Sequence, residues 1–150
     1  MLVTAAIIRD GSKVLLTQRK KGSHLSDKWE FPGGKMEAGE SPEACLKREL
    51  KEEIGVEAKI GDIFKVVYYH YSRGPILLLA YWVEIDRTPE AIDCQALEWV
   101  EINTLDDTKF PPADLPVLNK LRYGTPLPVA EETSAPRGFK RLLGLFGDRG

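Results

Sequence analysis

Glu49, Glu52 and Glu53 lie three and one residues apart in "RELKEEIGV", and that spacing puts all three carboxylates on one face of a helix. Such a face repels itself. Gly55, two residues on, marks the end of the helix, and negative charge near a helix C-terminus opposes the helix dipole. A bound cation or a neighbouring basic residue relieves the cost. Carboxylate oxygens suit a hard divalent ion such as Mg²⁺ or Mn²⁺, and a diphosphate brings further oxygen ligands along with charge that needs neutralising. A solvated acidic helix is the plainer reading of these glutamates taken alone.

The segment that must carry them starts at Ser41-Pro42, an N-cap followed by proline at the first helical position, with Glu43 in the favourable first turn. Ala44, Cys45, Leu46, Leu50 and Ile54 recur at helical spacing, so packing and the acidic face use different sides of one helix. Ahead of it, Val3–Ile8 and Lys13–Arg19 read as strands joined by a hairpin at Asp10-Gly11. "KKGSHLSDK" reads as a surface loop leading into Trp29–Phe31, and Pro32-Gly33-Gly34 as a stop, with a second loop through Gly39.

Behind the helix, Val56–Tyr71 and Ile76–Ile85 are rich in β-branched and aromatic residues and predict two strands, joined at Ser72-Arg73-Gly74-Pro75. Ala96–Val100 predicts another strand, Asn103–Asp107 a short helix and Ala113–Leu121 a longer one. The order predicts an α+β domain of mixed sheets with helices packed outside, without repeated βαβ units. One domain is expected over 1–125. Residues 126–150 read as a Pro-containing linker and a short basic amphipathic tail, which either docks on this or another protein or is partly disordered. A membrane-surface helix is disfavoured there by Gly138 and Gly144.

Composition narrows the function class. With 21 basic and 23 acidic residues in 150, net charge is -2, which gives no general reason to bind long nucleic acid. Cys45 and Cys94 are too few for a disulfide framework, and with His24 and His70 they form no zinc spacing, so a reducing, cytoplasmic setting is expected. The opening "MLVTAAIIRDGSKVLL" carries neither a basic leader nor an unbroken apolar span, so no membrane partner is expected. A monomer or homodimer acting on a small anionic substrate remains.

From Gly34 the chain runs five residues to Glu40, seven to Arg48-Glu49-Leu50, one to Glu52-Glu53 and one to Gly55-Val56. This spacing matches without omission the motif of the Nudix hydrolases, and "WEFPGGK" at Trp29–Lys35 resembles their MutT-like branch. The resemblance covers most of Met1–Tyr123 and implies an α/β/α sandwich. It also implies Mg²⁺- or Mn²⁺-dependent hydrolysis of a nucleoside triphosphate to the monophosphate and pyrophosphate, by water attack on the β-phosphorus. By the same resemblance Glu49, Glu52 and Glu53 bind metal with the Gly33 carbonyl, and Glu53 is the first candidate for the base that activates water. Asp93 is the second, at the approximate position of a loop Glu in MutT-like sites but with a shorter reach; a solvated loop acid is its plainer reading.

Arg48 is expected to hold Glu40 or a helix carboxylate in a fixed fork, orienting the metal ligands. Lys35 and Arg19 are candidates for phosphate oxygens, and His24 and Phe31, with Trp29, for the border of a base pocket. "FPPADLPVLNKL" at 110–121 resembles the branch's base-recognition segment. Asp114 stands there where the 8-oxo-dGTP hydrolases would have Asn. Asn both donates and accepts, whereas ionised Asp only accepts and protonated Asp recovers a donor. An "ADxP" setting also resembles the CTP and dCTP pyrophosphohydrolases, and a helix cap is the plainer role. The expectation is therefore an 8-oxo-dGTP diphosphatase. The alternatives are a CTP or dCTP pyrophosphohydrolase (5-methyl-dCTP included), a hydrolase of another nucleoside diphosphate derivative, or a nucleotide-binding module without catalysis.

Overall fold

β1 (Leu2–Ile7) is the strand around which the molecule is organised, and its apolar run is broken only by the buried Thr4 because both of its faces are covered. In a computed structural model of the chain, residues 1–124 are described; the expected linker and tail at 126–150 lie outside them. Successive side chains of a strand point to opposite faces. Ala5 and Ile7 accordingly pack with Val14, Leu16, Phe31, Val117 and Leu118, while Ala6 and Ile8 pack with Leu15, Leu46, Leu50 and Ile54. The first group belongs to the side of helix α2 (Leu115–Tyr123), the second to the side of helix α1 (Pro42–Ile54). Mixed sheets thus lie between two helices, in the α/β/α layering expected.

The first sheet runs in the order β5 (Gly33–Lys35), β1, β7 (Gly74–Ile85), β6 (Ala58–Tyr71), with β1 parallel to β7 and the other pairs antiparallel. The second joins β2 (Arg9–Asp10), β3 (Lys13–Gln18) and β4 (Trp29–Glu30), with β8 (Ala96–Glu101) also on β3.

Four local expectations are corrected. Only Arg9–Asp10 forms the hairpin with β3, in register Arg9↔Val14; β1 itself belongs to the other sheet, because the chain changes sheets at Ile8. Gly33–Lys35 is a strand rather than a loop, since β1 offers an open edge and pairs Thr4 with Gly34. The short helix expected at Asn103–Asp107 is instead two 3₁₀ turns, Ile102–Thr104 and Asp107–Lys109. The last helix begins at Leu115 after a third 3₁₀ turn, Pro112–Asp114, where two prolines restrict the approach.

Candidate active site

Helix α1 is set at both ends and along one side. Ser41 Oγ accepts the Ala44 N–H at 3.1 Å, and the Gly55 N–H donates to the Lys51 carbonyl at 3.1 Å in a left-handed cap. Cys45, Leu46, Leu50 and Ile54 are buried, which fixes the helix rotation and turns Glu49 and Glu53 toward β5. The Gly33 N–H donates to Glu53 Oε1 at 3.4 Å, a long contact. A Cβ on Gly34 would displace the Glu49 carboxylate, and one on Gly33 would run into the Thr4 carbonyl of β1, so glycine at Gly33 lets the two strands approach this closely. The buried Thr4 hydroxyl donates to the Gly34 carbonyl at 3.1 Å and fastens β5 from behind.

Arg48 organises the other side of this face. Its Nε and Nη2 fork Glu40 at 3.0 and 2.7 Å, and Nη1 donates to Glu49 Oε1 at 2.8 Å and to Glu52 Oε1 at 3.3 Å. Those hydrogen bonds from Arg48, with one from the Glu37 N–H, hold the Glu40 carboxyl down at about 2 and raise Arg48 above its ordinary value.

Glu49, Glu53, Gly33, Lys35, Asp93, Arg19, His24, Phe31 and Asp114 all border one cavity of about 740 Å³. Arg48 and Glu52 do not line it; the Glu52 side chain is 58% exposed and turned to Arg48. Trp29 packs against the core instead. Glu53 is pushed up to about 9 by burial first, then by the charges of Glu30 and Glu49, against the opposing Gly33 N–H. Asp93 forms an exposed ion pair with Lys20, and its backbone N–H donates to the Glu53 carbonyl at 3.1 Å, tying its loop to the end of α1. Lys35 has no ion-pair partner among the described residues, whereas Arg19 is engaged, with Nη1 on Glu30 at 2.8 Å and Nε on the His24 carbonyl at 2.7 Å.

Glu30 is the residue that sequence reasoning passed over. It stands on the cavity wall, its charge raises Glu53 and Asp114, and burial raises its own carboxyl against the pull of Arg19. The available signal was an acid held between aromatic neighbours in "WEF", where the flanks mark a segment entering the interior.

On the wall of the same cavity Asp114 is 8% exposed and makes no capping hydrogen bond, so helix capping does not account for it. Burial raises its carboxyl well above the ordinary range, Glu30 adds to that, and Arg19 opposes it. Phe31 packs on Phe110 at 5.9 Å between centroids, and His24 meets Tyr71 edge-on at 5.8 Å.

Among the described residues no three His, Cys, Asp or Glu side chains converge as a preformed metal cage. The Arg48 guanidinium engages one oxygen each of Glu49 and Glu52. The donor set nevertheless fits a hard divalent cation: all its side-chain donors are carboxylate oxygens, and Glu53 and Glu49 raise each other's energy until positive charge arrives. Among the described residues no helix is long and apolar enough to cross a membrane.

A family model described as NUDIX domain matches residues 1–121. The 8-oxo-dGTP diphosphatase of Haemophilus influenzae is 40% identical over 121 residues, 79% of this chain and 89% of that protein. The CTP pyrophosphohydrolase of Escherichia coli is 38% identical over 118 residues, 77% of this chain and 87% of its own. Among solved structures, the E. coli ORF135 protein superposes with a TM-score of 0.71 at 35% identity, covering 91% of this chain and 93% of that one.

Proposed function

The chain belongs to the Nudix family of hydrolases, and within it we propose a nucleoside triphosphate pyrophosphohydrolase that prefers 8-oxo-dGTP. The observation that carries this reading is one cavity bordered both by Glu49 and Glu53 of α1 and by the buried Asp114, which makes no capping hydrogen bond. Phosphates belong beside the glutamates and the base beside Asp114. Glu49, Glu52, Glu53 and the Gly33 carbonyl would hold Mg²⁺, with Mn²⁺ a workable substitute. A divalent ion there supplies neutralisation of phosphate charge and a more acidic water.

The residues divide the remaining work. Glu53, ionised once positive charge sits beside it, is assigned the proton of the water that attacks the β-phosphorus, with Asp93 second to it. The new bond is from water oxygen to phosphorus, the bridging oxygen leaves with the nucleoside monophosphate, and pyrophosphate is released. Arg48 positions Glu49 and Glu52, and Lys35 neutralises a phosphate oxygen. Phe31 and His24 border the base. Asp114, whose carboxyl burial raises well above the ordinary range, offers both a donor and an acceptor in its protonated form, as Asn would.

Resemblance to the CTP pyrophosphohydrolase supports a second reading, in which a cytosine amino group donates to ionised Asp114. kcat/KM for 8-oxo-dGTP, dGTP, CTP and dCTP, with products identified, decides between them. We expect 8-oxo-dGTP to rank first, and Asp114→Asn to keep that activity while shifting its ratio to CTP about tenfold, the scale of one buried polar contact. A wild-type preference for CTP removes the first reading, and unchanged ratios in a folded variant remove Asp114 from base recognition.

A further inference from the structure

Tyr71 closes β6 beside the cavity end that holds Asp114, and its hydroxyl is only half used. The oxygen accepts the Ala113 N–H at 3.1 Å, across a separation of 42 residues, and so ties the strand to the 3₁₀ turn that presents Asp114. A phenol that accepts through oxygen still has a proton to donate. No described residue receives it. Burial raises the hydroxyl above its ordinary value, with the neighbouring Asp114 adding to the shift, so the proton is present throughout the neutral range. His24 meets the ring edge-on and Tyr69 tilts against it at 4.6 Å, which holds the phenol in place.

The cavity wall here therefore carries a carboxyl with no hydrogen-bond partner among the described residues and, beside it, a phenol whose O–H proton is unused. A guanine-type base has a matching edge, since its ring N1–H donor lies next to the exocyclic O6 acceptor. We propose that Tyr71 is a specificity-determining residue that donates its hydroxyl proton to the exocyclic carbonyl oxygen of the base while Asp114 faces the adjacent ring N–H. This rests on the reading above, that the base of a nucleoside triphosphate occupies this end of the cavity. It adds a second base contact, made by a residue far from the 110–121 segment in sequence.

The test combines Tyr71→Phe with dGTP, 8-oxo-dGTP and the deoxynucleoside triphosphate of 2-aminopurine, which lacks O6. The expected result is a roughly tenfold rise in KM for the two guanine nucleotides with kcat little changed, and no more than about a twofold effect on the 2-aminopurine nucleotide. If Tyr71 served only as the anchor for Ala113, all three substrates would lose equally, and that result overturns the proposal. An unaltered KM for the guanine nucleotides overturns it too. Should Tyr71→Phe fail to fold, wild-type discrimination between dGTP and 6-thio-dGTP, which keeps the N1–H but offers sulfur in place of O6, reads the same contact, and equal kcat/KM values refute it. If the wild type hydrolyses none of the three, the pyrophosphohydrolase reading itself has failed; if it hydrolyses them with Tyr71→Phe indifferent, only the Tyr71 contact has.

Discussion

The two ends of the cavity are built in opposite ways. The carboxylate end comes from one stretch of chain, Gly33 to Glu53, folded as a strand and the helix laid against it. The other end gathers His24, Phe31, Tyr71 and Asp114 from a loop, a strand end, the tip of a long hairpin and a 3₁₀ turn. The first end has charges bound to one another through Arg48, whereas the second has polar groups left open to a ligand. A group common to all substrates can be met by a fixed local motif, while the variable part is met by residues that can change separately.

If this division holds, damage at the carboxylate end should be large and indifferent to the base. Glu53→Gln removes the carboxylate that burial and the charges of Glu30 and Glu49 push up to about 9. Turnover is expected to fall roughly 10²-fold or more, by the same factor on 8-oxo-dGTP and CTP, as for loss of a group acting on developing charge. Pyrophosphate release with added Mg²⁺ measures it, with a melting curve to show the variant is folded. Unequal losses would mean that the two ends are not independent.

Arg48→Ala sharpens the same contrast at smaller scale. The substitution frees Glu40, Glu49 and Glu52 at once, and groups that orient ligands from behind are worth roughly 10- to 100-fold. The loss should appear in the Mg²⁺ concentration needed for half-maximal rate, again equally across bases. Arg48→Lys should recover little, because an ammonium cannot fork Glu40 while also reaching Glu49. Full recovery by lysine would reduce Arg48 to a general counter-charge.

The same contrast explains what the sequence could disclose. Helix α1 was readable because its cap, its apolar side and its acidic side are all local patterns of spacing. The strand Gly33–Lys35 was not, because glycine has no strand preference of its own and pairs there only once β1 supplies an edge. Nor was the division of Arg9–Asp10 from β1, since an Asp-Gly turn looks the same whichever sheet its flanks join. Asp114 could be named from a resembling segment, but its burial depends on contacts made at a distance. The aromatic flanks of Glu30 signal only that it enters the interior, and Tyr71 carries no local signal that separates it from strand residues; their roles depend on Arg19, Glu53 and Ala113, which only the fold brings near.

The smallest effect belongs to the open end and is read in stability rather than rate. Asp114 has its folded-state carboxyl raised well above 3.8, so across the intervening pH range the folded protein holds a proton that the unfolded chain has released. Stability linked to that proton is complete below the unfolded value and is lost as pH rises toward the folded one. Glu30 and Arg19 face the same carboxyl, the first adding to the shift and the second reducing it. Asn cannot release a proton, so Asp114→Asn should remove this part of the slope. In metal-free protein we expect wild type and variant to melt within about a degree of each other near pH 4, with the variant higher by a few degrees near pH 8, the displacement a kcal/mol-scale change produces in a domain of this size. A variant that melts lower at both pH values would show that Asp114 is held by contacts Asn cannot make, and that the base end is not open in the free enzyme.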